Sequence, residues 1–84
     1  MIELDNDKLQ NDIRVIVSKI IEIVPEKIEP DTHFIEDLNA DSMMALEIMA
    51  ALEKKYRINI PEGDLPKLAT LKQVTELVKK LLLS

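Results

Sequence analysis

The chain contains no cysteine and no tryptophan, one glycine, one phenylalanine and one tyrosine among 84 residues. Without cysteine there is no disulfide, no thiolate zinc site and no cysteine nucleophile, so any thiol chemistry needs a sulfur brought in from outside. A sheet would want more valine, threonine and aromatic residues than this chain has. Leu, Ile, Ala, Lys and Glu dominate instead, a composition suited to helices. No apolar run approaches the roughly 20 residues of a membrane span. The beginning "MIELDNDKLQND" is acidic and has no apolar signal core, so the expected location is cytoplasmic. A chain this short forms one domain over residues 1–84 and buries only about 60% of its unfolded surface. It has no room for a second catalytic domain or a large substrate cleft.

The formal net charge is −5, the opposite of the basic balance expected of a nucleic-acid binder. The charge is unevenly spread. Residues 26–47 hold seven acids against one base, Lys27, whereas residues 66–84 hold Lys67, Lys72, Lys79 and Lys80 against Glu76 alone. Such asymmetry reads either as ordinary solvated faces or as an acidic docking surface for basic partners.

Hydrophobic periodicity predicts a helix from Asp5 to Val24, with Leu9, Ile13, Ile16, Val17, Ile20 and Val24 on one side, ended by Pro25. Residues 25–40 read as a long acidic loop pinned by Ile28, Phe34, Ile35 and Leu38, with a short helical turn starting near Thr32. Loops of this length in small domains are often functional. A second helix begins at Asp41 or Ser42 and ends near Tyr56. Leu46, Met49, Leu52 and Tyr56 are expected inward, and Met43, Glu47, Ala50 and Lys54 on another face. "RINIPEG" breaks the pattern, "DLPKLA" fits a short third helix with Leu65 and Leu68 inward, and Thr70 with Gln73 opens the last helix as a capping box. Leu71, Val74, Leu77, Val78, Leu81 and Leu82 form its apolar side. The expected fold class is all-α, a four-helix bundle with a short third helix and a long loop between helices 1 and 2.

One dipeptide stands out. Asp41-Ser42 closes the acidic loop and opens a methionine- and alanine-rich helix. A serine there commonly serves as a helix cap. A hydrolytic role needs a base within reach and finds none. His33, the only histidine, reads as a surface residue, and no G-x-S-x-G elbow is present. No catalytic residue and no metal site are assigned.

The stretch "FIEDLNADSMMALEIMAALEKKY" followed by "INIPEGDLPKLATLKQV" resembles an acyl carrier protein. That family shows an acidic loop, a D-L-G-x-D-S-L core, an amphipathic helix ending in an aromatic residue, and I-x-I-P. Asp37, Leu38, Ala40, Asp41 and Ser42 match the core. Glu47, Leu52, Glu53, Tyr56, Ile58, Ile60 and Pro61 continue it across nearly the whole chain. The resemblance implies that Ser42 carries 4′-phosphopantetheine, taken from coenzyme A by a phosphopantetheinyl transferase with magnesium. The arm would end in a thiol holding acyl groups as thioesters in fatty acid, lipid or polyketide biosynthesis. It also implies a carrier with no turnover of its own, expected monomeric, whose partners are the transferase and acyl-loading, acyl-transfer or synthase enzymes. Both absences then make sense, since the sulfur arrives with the cofactor and the base belongs to the transferase.

The resemblance further implies partner contacts at Asp41, Met43, Met44, Glu47 and Glu53, and a possible acyl slot among Leu46, Met49, Leu52, Ile60, Ala69 and Leu71, which could equally be ordinary core. Met44 stands where common fatty-acid carriers have an acid. Lys54, Lys55 and Arg57 stand where they tend to be acidic, and Asn39 replaces a glycine. Those departures suggest a specialised, freestanding carrier with partners of its own. Two alternatives remain. One is a peptidyl or aryl carrier, which usually shows GG-x-S where this chain has "NADSMM". The other is a cofactor-free helical interaction module in which Ser42 only caps.

Overall fold

The computed structural model describes residues 5–38 and 41–83, and the side chains of all of these except Ser42 and Lys67. Among the described residues four α-helices form: α1 (Asn6–Ile21), α2 (Phe34–Leu38), α3 (Ser42–Tyr56) and α4 (Leu71–Leu83). Two 3₁₀ helices, Pro25–Lys27 and Glu62–Lys67, lie between them. The all-α expectation holds. The expected short third helix is the second 3₁₀ segment, where Pro66 interrupts any α-helical ladder. The additional short α-helix sits within the long loop.

Asp5 starts α1, its carboxylate accepting from the Asp7 and Lys8 N–H groups at 3.0 and 3.3 Å. Leu9, Ile13, Val17 and Ile21 follow at helical spacing and are buried. The helix ends before Pro25. Glu22 adopts φ 58, a left-handed cap, and the Glu22 and Ile23 N–H groups both donate to the Ser18 carbonyl. This reversal folds Ile23 back against the core and leaves Val24, expected on the apolar side, 54% exposed.

The long connection is strapped down by hydrogen bonds. The Arg14 Nε donates to the Ile28 carbonyl at 2.8 Å and ties the loop to α1. Thr32 closes a turn on Glu29 through both its N–H and its hydroxyl. The Lys72 N–H donates to Pro30 O and the Phe34 N–H to Ala69 O, so the loop runs against the start of α4. α2 begins at Phe34, just after His33 and later than the expected start near Thr32. Imidazole Nδ1 accepts from the Glu36 N–H at 3.3 Å, while the His33 N–H donates to the Asp37 carboxylate at 2.8 Å. Ile28 and Phe34 are buried as expected, but Ile35 is half exposed.

α1 packs against both α3 and α4. α4 contributes Leu71, Val74, Leu77 and Val78 to the core, and Thr70 Oγ1 caps it by accepting from the Gln73 N–H at 3.1 Å. The buried hydroxyls of Ser18 and Thr75 are satisfied on their own helices, donating to Val15 O and Leu71 O. Leu68 is buried behind the second 3₁₀ helix, and Leu65 is partly so.

Candidate functional site

The start of α3 divides labour between two neighbouring residues. Asp41 has extended backbone angles and its Oδ1 accepts from the Met44 N–H at 2.9 Å, while its carbonyl accepts from the Ala45 N–H. Asp41 is therefore the N-cap, and Ser42 is the first residue inside the helix. The cap role that a serine could have filled here is taken by its neighbour. The backbone at Ser42 lies in the first turn, where free N–H groups and the positive end of the helix dipole favour an anion. Asp41 and Met43, on either side, are exposed. The Ser42 side chain and the family-matching Ala40, with Asn39, lie outside the described residues.

Along α3 the outward stripe is Met43, Leu46, Glu47, Ala50, Lys54 and Arg57, all exposed. Met43 is 66% and Leu46 41% exposed, large values for apolar side chains. The inward stripe is Ile48 and Leu52, fully buried, flanked by partly buried Met44, Met49 and Tyr56. One inward placement needs correction, and two of the residues expected at the partner surface are partly engaged by the domain itself. Leu46 does not face inward with Leu52; it sits on the outer face, and Ile48 takes the core position. Ile48 was obscured because a helix rich in Met and Ala shows two apolar faces, and periodicity does not say which of them packs. Met44, expected at the partner surface beside Met43, is partly buried against the core. Glu53, also expected to meet partners, has its carboxylate turned onto the chain, accepting from the Ile60 N–H at 2.9 Å. That bond satisfies a donor immediately before Pro61 and fixes the loop leaving α3.

Among the described residues, the six considered for an acyl slot are spread over different surroundings. Leu52, Ile60 and Leu71 are fully or almost fully buried in the close-packed centre, Met49 lies at its edge, and Leu46 is outside. Ala69 instead lines an open depression of about 280 Å³ with His33, Ile35, Ala45, Leu65, Pro66 and Leu68. This depression lies between α2, the first turns of α3 and the second 3₁₀ helix. Periodicity could not have found it, since its wall comes from three separate segments.

At the far end of α3 the charge reverses. Lys54, Lys55 and Arg57 are exposed within four residues. The Lys55 Nζ lies 5.8 Å from the centroid of the Tyr56 ring, within cation–π range. The Tyr56 hydroxyl is buried with no hydrogen-bond partner among the described residues. Burial, and secondarily the Asp12 carboxylate, push its pKa up. Arg57 closes the helix with φ 54, a left-handed conformation that a glycine would adopt at less cost. Among the described residues no group of three or more His, Asp or Glu side chains is arranged to hold a metal ion, and no helix is long and apolar enough to cross a membrane.

A family profile described as "Phosphopantetheine attachment site" matches residues 11–78, from the second turn of α1 into α4. The chain is 32% identical over 75 residues to the acyl carrier protein of Thermosynechococcus vestitus, covering 89% of this chain and 93% of the relative. It is 35% identical over 69 residues to that of Wolinella succinogenes, covering 82% and 91%. It is 34% identical over 77 residues to that of Borreliella burgdorferi, covering 92% and 96%. With the serine-opened helix, the fold and these relatives in agreement over nearly the whole length, the chain belongs to the acyl carrier protein family, whose members bear a covalently attached 4′-phosphopantetheine.

Proposed function

We propose that Ser42 is the attachment residue and that the chain carries acyl intermediates for a dedicated lipid or polyketide pathway. The observation that carries the reading is the capping of α3 by Asp41, which leaves the Ser42 hydroxyl unneeded for starting the helix. In the loading step the serine oxygen forms a new bond to the pantetheine-bearing phosphorus of coenzyme A. The pyrophosphate P–O bond breaks, the adenosine 3′,5′-bisphosphate leaves, and the serine proton passes to a base of the transferase. The helix start suits the resulting phosphodiester, because N–H groups of the first turn and the dipole favour negative charge. When bound, the arm supplies a thiol that holds an acyl group as a thioester.

Asp41 and Glu47, both exposed, offer carboxylates to basic side chains of partner enzymes, and Met43 offers an apolar contact beside the serine. Electrostatic matching of this kind chiefly sets encounter rate and orientation. A pathway of its own is favoured by the stripe itself, which is apolar near Ser42 and cationic at its far end. If the protein replaced a principal fatty-acid carrier at full efficiency in a reconstituted synthase, that part of the reading would fail.

Attachment is tested by intact-protein mass after incubation with coenzyme A, magnesium and a broad-specificity phosphopantetheinyl transferase, beside Ser42→Ala. The expected result is the addition of one phosphopantetheinyl group to the wild type and none to the variant. No addition to a folded wild-type chain would favour a cofactor-free interaction module.

A further inference from the structure

The outward stripe of α3 is bipolar. At its start lie the exposed carboxylates of Asp41 and Glu47, with Glu36 and Asp37 on neighbouring α2. Ala50 marks its middle, and Lys54 and Arg57 end it. Lys54 follows Ser42 by twelve residues, about 18 Å along the helix axis. The two cations therefore sit at the rim of an ordinary docking footprint, whose radius is about 16 Å when centred on the serine, and more than two Debye lengths from the serine at physiological salt. They are not spent internally by any hydrogen bond described, unlike Arg14, and Lys54 lies clear of the Tyr56 ring that Lys55 covers. Arg57 keeps a left-handed backbone where glycine would be easier. On a protein of net charge −5, a locally positive end to the exposed face of the presenting helix has a consequence for selection. An enzyme whose entrance is basic all round gains at the Asp41 end and is repelled at the Lys54 end. An enzyme with bases near its entrance and acids about 18 Å away gains at both.

We propose that Lys54 and Arg57 are specificity determinants of docking. They admit enzymes bearing a carboxylate patch opposite the end of α3 and turn away enzymes with uniformly basic rims. The proposal rests on the carrier reading and deepens it by naming the partner's charge pattern. Repulsion of the wrong partner is as effective a route to specificity as attraction of the right one.

The test uses the full chain loaded with phosphopantetheine and an acyl group, and as probe a ketosynthase whose entrance is rimmed only by Lys and Arg. The variant Lys54→Glu/Arg57→Glu is compared with Lys19→Glu/Lys80→Glu. The control makes the same change in net charge at exposed cations in the last turns of α1 and α4. The expected result is a rise of about tenfold in kcat/KM for acyl transfer to the probe with the α3 variant only, shrinking as salt is raised. A neutral variant, Lys54→Gln/Arg57→Gly, should rise by about threefold, and because glycine relieves the φ at residue 57 it remains folded. Equal kcat/KM for wild type and both α3 variants would overturn the proposal. So would an equal rise with the control, which would reduce the effect to net charge. Mass spectrometry before the assay separates the two levels of inference. A chain that accepts no phosphopantetheine fails as a carrier, whereas a loaded chain indifferent to residues 54 and 57 fails only here.

Discussion

α3 contains a larger share of apolar residues than α4 and buries fewer of them. α4 sends Leu71, Val74, Leu77 and Val78 into the core and leaves Lys72, Gln73, Glu76 and Lys80 outside. α3 commits only Ile48 and Leu52 fully, and leaves Met43 and Leu46 facing solvent. Two helices of similar length thus do different work. α4 is held to one orientation by an amphipathic division that only its last residue, the exposed Leu83, breaks. α3 has apolar groups to spare and presents them next to Ser42, where desolvating them against another protein is favourable. The lesson is that the apolar surplus of α3 is a better sign of function than its acidity, since apolar side chains on a small, thinly cored domain are costly to leave outside.

Truncations test that division most strongly. Leu71→Ala and Ile48→Ala should each destabilise the domain by about 2–5 kcal/mol, the usual cost of a cavity at a fully buried site, measured by urea unfolding. Leu46→Ala on the outer stripe should change stability by no more than about 0.5 kcal/mol. A loss at residue 46 comparable with that at residue 48 would mean that Leu46, not Ile48, packs inward. Next in size is the cap. Asp41→Ala should cost about 1 kcal/mol by removing the acceptor for the Met44 N–H, whereas Asp41→Ser should retain most of the stability.

Smaller effects sharpen the contrast between the two ends of α3. Arg57→Gly should stabilise by about 0.5–1 kcal/mol by removing a left-handed penalty, and Glu22→Gly at the end of α1 should behave alike. Stabilisation at residue 57 combined with altered partner preference would separate the structural cost of Arg57 from its use. Tyr56 gives a pH signature. Its pKa is raised in the folded state above the ordinary 10.0, so the neutral phenol favours folding. Its contribution is fully present below pH 10.0 and is lost as the pH rises through the higher folded value. Tyr56→Phe should remove that alkaline loss, and should not reduce stability at neutral pH, since the hydroxyl bonds to no group among the described residues.

Much of the frame was legible in the residues. Leu9, Ile13 and Val17 recur at helical spacing and are buried, and Thr70 with Gln73 announces the start of α4, because these signals are local. The Asp-Ser pair was legible as a helix start, though its order of roles was not. Either residue can cap, and the backbone angles that choose Asp41 depend on how the loop approaches. The fate of Glu53 was hidden for a similar reason, since its hydrogen bond to Ile60 crosses a loop whose path periodicity does not fix. α1 ends earlier than its periodicity predicts, because a left-handed cap at Glu22 requires no glycine, only a reversal that returns Ile23 to the core.

The sequence by itself determined that the protein is helical, that it brings no thiol of its own, and that its acids and bases are segregated. These follow from composition and from side-chain preferences that act over one or two turns. Only the tertiary structure decided which apolar face of α3 turns inward, that Met44 and Glu53 are engaged by the domain itself, and that an open depression forms beside Ala45 and Ala69. Each of those outcomes is set by packing between segments far apart in the chain, where the burial of Ile48 and Leu52 against α1 outweighs any local preference of α3.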